Sequence, residues 1–185
     1  MKYIRKIDSI GRWDGTAEPL YDGAFSTGDI LLSDLKTSHN TLSIWSYDTD
    51  EEKEEVLVAI ALTRGHISKL AYVIMDDAKI HKLGIPMEIE EGISDGITRK
   101  DILLRHANLS YIDFWRLGFI AEYISELARN KEDRNQLSDK QVYLLIEKHI
   151  DNKNIDLTQV NCELRDSIER ARERYKMKPN LSESK

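Results

Sequence analysis

The stretch from Thr41 to Asp77 constrains the fold more than any other part of the chain. It opens on TLSIWSY, rich in β-branched and aromatic residues, which reads as a strand. It closes on KLAYVIMDD, apolar enough for a buried strand. Between them Val56, Leu57, Ile60 and Ala61 recur at helical spacing, and Gly65 supplies a C-terminal stop. Strand, helix and strand at this spacing predict a βαβ-like unit with strands 42–47 and 70–75 parallel.

The same stretch places six acids in the eight positions from Asp48 to Glu55. That density suggests a metal or substrate site, but a simpler reading is at hand. Thr49 with Glu52 three residues later forms a capping box, which satisfies free N–H groups at a helix start. Acids in the first turn also complement the positive end of the helix dipole. The acidic run is therefore read as a helix N-terminus.

Around this unit, KYIRKI alternates as a short strand and GRWDGTAEPLYDG reads as a loop. Thr27 can cap a short helix over GDILLSDLK, which TSHN ends. DDAKIHKLG predicts a helix closed by Gly84, and IPMEIE a further strand. From Thr98 onward the pattern reads as helix throughout, with start signals at Thr98 and Asp101, Ser110 and Asp113, and Ser138 and Gln141. The segment SYIDFWRLGFIAEYISELARN sets Ile112, Trp115, Phe119, Tyr123 and Leu127 on one face; Phe114, Leu117, Ile120 and Ile124 widen it. A last helix from about Thr158 to Met177 carries Val160, Leu164, Ile168, Ala171 and Tyr175 as a narrow stripe. The expectation is an α+β fold: a small α/β-like domain over 1–96 with a mixed sheet, an all-helical region over 97–177 packed on it, and a flexible tail at 178–185.

Composition narrows the classes of function. No segment approaches 18 consecutive apolar residues, so no membrane span is expected. A single cysteine, Cys162, excludes an intrachain disulfide, and a reducing cytoplasm is the expected setting. Residues 1–97 carry 10 Lys/Arg against 18 Asp/Glu, an acidic front that repels a phosphate backbone and disfavours nucleic acid as a partner.

Few groups invite chemistry. No two of the five histidines share the spacing of a helical metal pair. The phosphate-binding glycine fingerprints, the nucleophile elbow and the HExxH zinc motif are all missing. His106, beside Arg105, is a candidate ligand or proton donor. Asp76 and Asp77 close a buried strand, where paired acids can hold Mg²⁺, although either can simply cap the following helix. Arg5 and Arg12, with Trp13, Asp14, Tyr21, His39 and Asn40, could clamp a pyrophosphate, since guanidinium meets phosphate with paired donors.

Two readings follow. The first is a bacterial or phage accessory or regulatory protein, such as a subunit, antitoxin or immunity-like partner. It would act without a cofactor by binding another protein or a second copy of itself. Its contact residues would be Trp115, Phe119 and Tyr123 on one helix and Leu164, Ile168 and Tyr175 on the last. The second is a small enzyme acting on a nucleotide-like or NAD-like substrate through Arg5, Arg12 and His106. Absent catalytic signatures favour association over catalysis.

Overall fold

Apolar side chains on both faces put the first strand, β1 (Lys2–Ile7), in the middle of the sheet: Tyr3 and Ile7 are buried on one side and Ile4 on the other. The computed structural model describes residues 1–13 and 33–176. Among them the remaining strands are β2 (Leu42–Tyr47), β3 (Leu70–Asp76), β4 (Met87–Ile89), β5 (His106–Leu109) and β6 (Arg134–Leu137). They form one six-stranded sheet in the order β4-β5-β2-β1-β3-β6, every neighbouring pair antiparallel. The helices are α1 (Ile10–Trp13), α2 (Asp50–Leu62), α3 (Asp77–Lys82), α4 (Lys100–Leu103), α5 (Phe114–Arg129), α6 (Asp139–Asp151) and α7 (Cys162–Lys176). The fold is α+β.

Two apolar cores lie on opposite faces of the sheet. One joins Tyr3, Ile7, Ile44 and Val73 to Trp13 of α1 and to Ile120, Tyr123, Ile124 and Leu127 of α5. The other joins Ile4, Trp45, Leu70 and Tyr72 to α2, α6 and α7. Lying within that layer, α2 is buried from Glu55 to Leu62 without a break. Glu55 tolerates this because Arg99 Nη1 reaches its carboxylate at 2.5 Å.

Several sequence expectations need correction. Strands β2 and β3 do run in the same direction and are joined through α2, but β1 lies between them. The unit is a split βαβ, and the sheet is antiparallel rather than mixed. The region beyond Thr98 is not all helix. HANL and RNQL are four-residue strands, too short to show a period, and their register comes from the strands they pair with: β5 with β2 and β4, β6 with β3. Thr98 caps no helix, since its hydroxyl donates to the Lys153 carbonyl. The capping boxes Thr49/Glu52 and Ser138/Gln141 are present, and Asp113 caps α5. The helix expected after Thr27 begins, and the tail at 178–185 lies, outside the described residues.

Pairing between β1 and β2 stops at Ile4 opposite Trp45, whereas β1 and β3 stay paired to Ile7 opposite Ala71. Arg5 occupies the place where the two strands part. Its Nη1 donates to the Ser43 carbonyl at 2.8 Å and its Nη2 to the Asp34 carbonyl. The Asp34 carboxylate accepts from the Asp8 N–H and from Trp13 Nε1, both at 2.7 Å. Replacing Arg5 by Leu strips two carbonyls of their donor and leaves the buried Asp34 without a nearby cation. Urea unfolding should therefore show a loss of about 2–4 kcal/mol. A change below about 0.5 kcal/mol, the level of an ordinary surface substitution, would contradict this role.

Candidate functional site

Two places in the fold depart from a plain packed domain: a cleft on the α2 side of the sheet and an aromatic face at the start of α5.

The cleft opens where the helical layer runs out. α2 ends at Leu62, so the sheet beyond Ile60 and Thr63 is uncovered, leaving a cavity of about 550 Å³. Cross-strand pairing sets its floor, because Ser43 lies opposite Asn108, and Trp45 opposite His106, on the same face of β2 and β5. The Asn108 amide donates to the Glu90 carboxylate and its carbonyl accepts from the Ser43 hydroxyl at 3.4 Å. His106 meets Trp45 edge to face at 5.0 Å, and its Nδ1 lies 3.0 Å from the Glu90 main-chain oxygen. A carbonyl only accepts, so Nδ1 carries the proton and Nε2 is left as an acceptor. Burial pulls the His106 pKa below the ordinary histidine value, which keeps the ring neutral near pH 7. Lys6, His39, Glu91 and Ile93 complete the rim.

The second feature is a set of four exposed rings. Tyr111, with φ of +54°, turns the chain into α5. Tyr111 is 66% exposed, Phe114 83%, Trp115 75% and Phe119 48%. Phe114 and Trp115 touch edge to face at 6.4 Å. At about 200 Å² per ring, these side chains present about 500 Å² of aromatic surface, as much as the largest apolar patch of a typical monomer, which is often functional. Gly118 lies among them on the exposed side of α5, with nothing within 4 Å of where a Cβ would stand.

The candidate residues scatter over these and other places. Arg5 and His106 line the same cleft, but both Nη atoms of Arg5 are bound to main-chain carbonyls. Arg12 is exposed on α1 and does not line the cleft, while Trp13 is fully buried. Asp14 and Tyr21 lie outside the described residues. Asp76 caps α3 by accepting from the Lys79 N–H at 3.2 Å, and Asp77 accepts from the Tyr3 hydroxyl at 3.2 Å. Among the described residues no three His, Cys, Asp or Glu side chains gather as a metal would need. Trp115 and Phe119 are exposed as an interaction surface requires, but Tyr123 is buried and its hydroxyl accepts from the Asp76 N–H at 2.9 Å.

The reason is helical geometry. Steps of four residues advance about 40° around a helix, so the row from Trp115 to Leu127 turns by about 120° and passes from solvent into the core. Leu164 and Ile168 are fully buried, and Tyr175 packs against Tyr143 with ring centroids 5.1 Å apart. The stripe of α7 is therefore covered by this chain's own body and is not an outer contact surface. Sequence reading missed Ser43, Glu90 and Asn108. The available signal was alternation, since buried Asn108 sits between Ala107 and Leu109 of one core and so faces the opposite side of the sheet.

No protein-family model, curated protein or solved structure matches this chain. No helix among the described residues is long and apolar enough to cross a membrane.

His149 gives a pH dependence with a definite sign. It is buried on α6, and its Nδ1 lies 3.3 Å from the Asn154 amide nitrogen, a donor that requires this ring nitrogen unprotonated. Burial lowers its pKa below the ordinary 6.5, outweighing the nearby Glu55 and Glu54 carboxylates. Its stabilising contribution is thus complete above about pH 6.5 and is lost as pH falls through that value towards the lowered folded-state pKa. Unfolding free energy should drop between about pH 7 and pH 5, and His149→Gln should flatten that slope. An equally steep slope in the variant would contradict the assignment.

Proposed function

We propose that this protein acts by association, with the aromatic face of α5 as its docking surface and a second copy of the chain as its occupant. The observation that carries the reading is the exposure of Tyr111, Phe114, Trp115 and Phe119 together, on a helix whose other side is anchored in the core. Two copies joined through these rings would bury about 1,000 Å², the lower bound of a specific interface. Gly118 supports a helix as the object received. A glycine inside an exposed helix costs about 1 kcal/mol relative to alanine, and here it leaves a notch between rings where a second backbone can approach. Rings flanking a notch make a surface able to receive a copy of itself about a two-fold axis. Asp113 pairs with Arg116 at 3.5 Å and Glu122 stands exposed on α5, so these side chains give no cationic cluster to draw an anionic membrane. An accessory or regulatory role, exercised by this association, is the function that fits such a surface.

Light scattering on the purified chain, coupled to size exclusion, tests the reading. Wild type should elute at twice the chain mass, and Trp115→Glu should weaken the dimer at least about tenfold, as expected for a central aromatic anchor. Because Trp115 is exposed in the single chain, the variant should keep its fold and its circular dichroism. A wild-type monomer at high micromolar concentration would contradict the proposal.

A further inference from the structure

We infer that the cleft beside α2 binds an uncharged, planar, amino-bearing heterocycle, such as the base of a nucleoside without phosphate. Its volume of about 550 Å³ falls in the range of small-ligand sites, and its lining combines apolar side chains with a few placed polar groups. The polar groups stand on rigid elements. Asn108 is fixed between Ser43 and Glu90, so the Glu90 carboxylate is held over β5 with one oxygen already accepting from Asn108.

The wall carrying Glu90 is equally fixed. The Gly92 N–H donates to the Leu103 carbonyl at 2.9 Å. A Cβ at Gly92 would come within 2.5 Å of the Trp45 ring and 2.9 Å of His106, so the chain passes there as closely as glycine permits. Glu90 and His106 Nε2, which receives no hydrogen bond from a described residue, thus offer two acceptors on this side of the cleft. Lys6 brings a donor from the β1 side, while Ile60 and Ile93 give apolar flanks for a flat ring. An amino group and a ring nitrogen on one planar molecule match acceptors and donor at opposite walls.

Charge decides against a phosphate. Glu90 and Glu91 both line the cleft, and the Arg5 guanidinium is committed to main-chain carbonyls. A phosphate entering here would meet two carboxylates and one lysine, itself 3.9 Å from the Asp8 carboxylate, without a free arginine fork to receive it. On this reading the cleft favours the nucleoside over the nucleotide.

The test is a titration of the full-length ¹⁵N-labelled chain with adenosine and, separately, with adenosine monophosphate. Adenosine should shift the His106 Nε2 resonance and the amides of Glu90–Ile93 saturably, with the monophosphate about tenfold weaker through like-charge repulsion. Ile93→Glu changes a side chain that is 85% exposed at the rim, so the fold is unaffected, and it should weaken adenosine at least about fivefold. A monophosphate that binds as tightly as adenosine would overturn the inference. So would adenosine that leaves His106 and the 90–93 amides unmoved up to about 10 mM.

Discussion

The Arg5 guanidinium, set where β1 and β2 part, is the contact on which the arrangement of both faces depends. Strand pairing alone would carry β1 alongside β2 beyond Ile4 and Trp45. Instead the guanidinium fills the opening and satisfies the carbonyls of Ser43 and Asp34. From Asp34 the hydrogen bonds run on to Trp13 of α1, and the Trp13 carbonyl accepts from the Ser125 hydroxyl of α5 at 3.1 Å. One side chain on the central strand is thereby linked to the helix that carries the exposed rings. The cost is a buried charge pair: burial pushes the Asp34 carboxyl up from its ordinary range and pulls Arg5 down. Such a pair specifies position more than it adds stability.

Elsewhere charged residues finish backbone ends or bridge helices. Glu52 accepts from the N–H groups of Asp48 and Thr49 and also from Arg105 Nη2, tying the start of α2 to the chain just before β5. These contacts hold its pKa below the usual carboxylate range. Arg99 joins Glu55 of α2 to Asp101 of α4, and Arg172 of α7 reaches Glu147 of α6 at 2.7 Å. Within the acidic stretch that first suggests a metal site, Glu52 and Glu55 are engaged in this way and Glu54 pairs with Lys148. Among the described residues, the cleft floored by polar residues and the face of rings are not accounted for in this way.

Much of the fold was legible because local signals agreed with the global outcome. The capping boxes at Thr49 and Ser138, the alternation of Tyr3, Ile4 and Ile7, and Gly84 after α3 with φ of +65° each act over a few residues. What escaped depends on partners distant in sequence. Strands of four residues such as β5 and β6 take their identity from β2 and β3, and the insertion of β1 between β2 and β3 leaves no local trace. The exposed aromatic face was half legible. Trp115 and Phe119 stand out by type, but only the packed helix shows that Tyr123, eight residues after Trp115, already faces the core. The cleft floor was hidden because Asn108 falls in LLRHANLS, the expected link between two helices, where a polar residue is ordinary.

The Arg5 wedge can be observed directly through its guanidinium signals. Two Nη groups bound to separate carbonyls cannot interchange by rotation about the Cζ–Nε bond. Nitrogen-detected spectra of the native chain should therefore resolve Nη1 and Nη2 of Arg5 as distinct resonances, slow to exchange with solvent. A single averaged Nη signal, exchanging as fast as that of a surface arginine, would contradict the account.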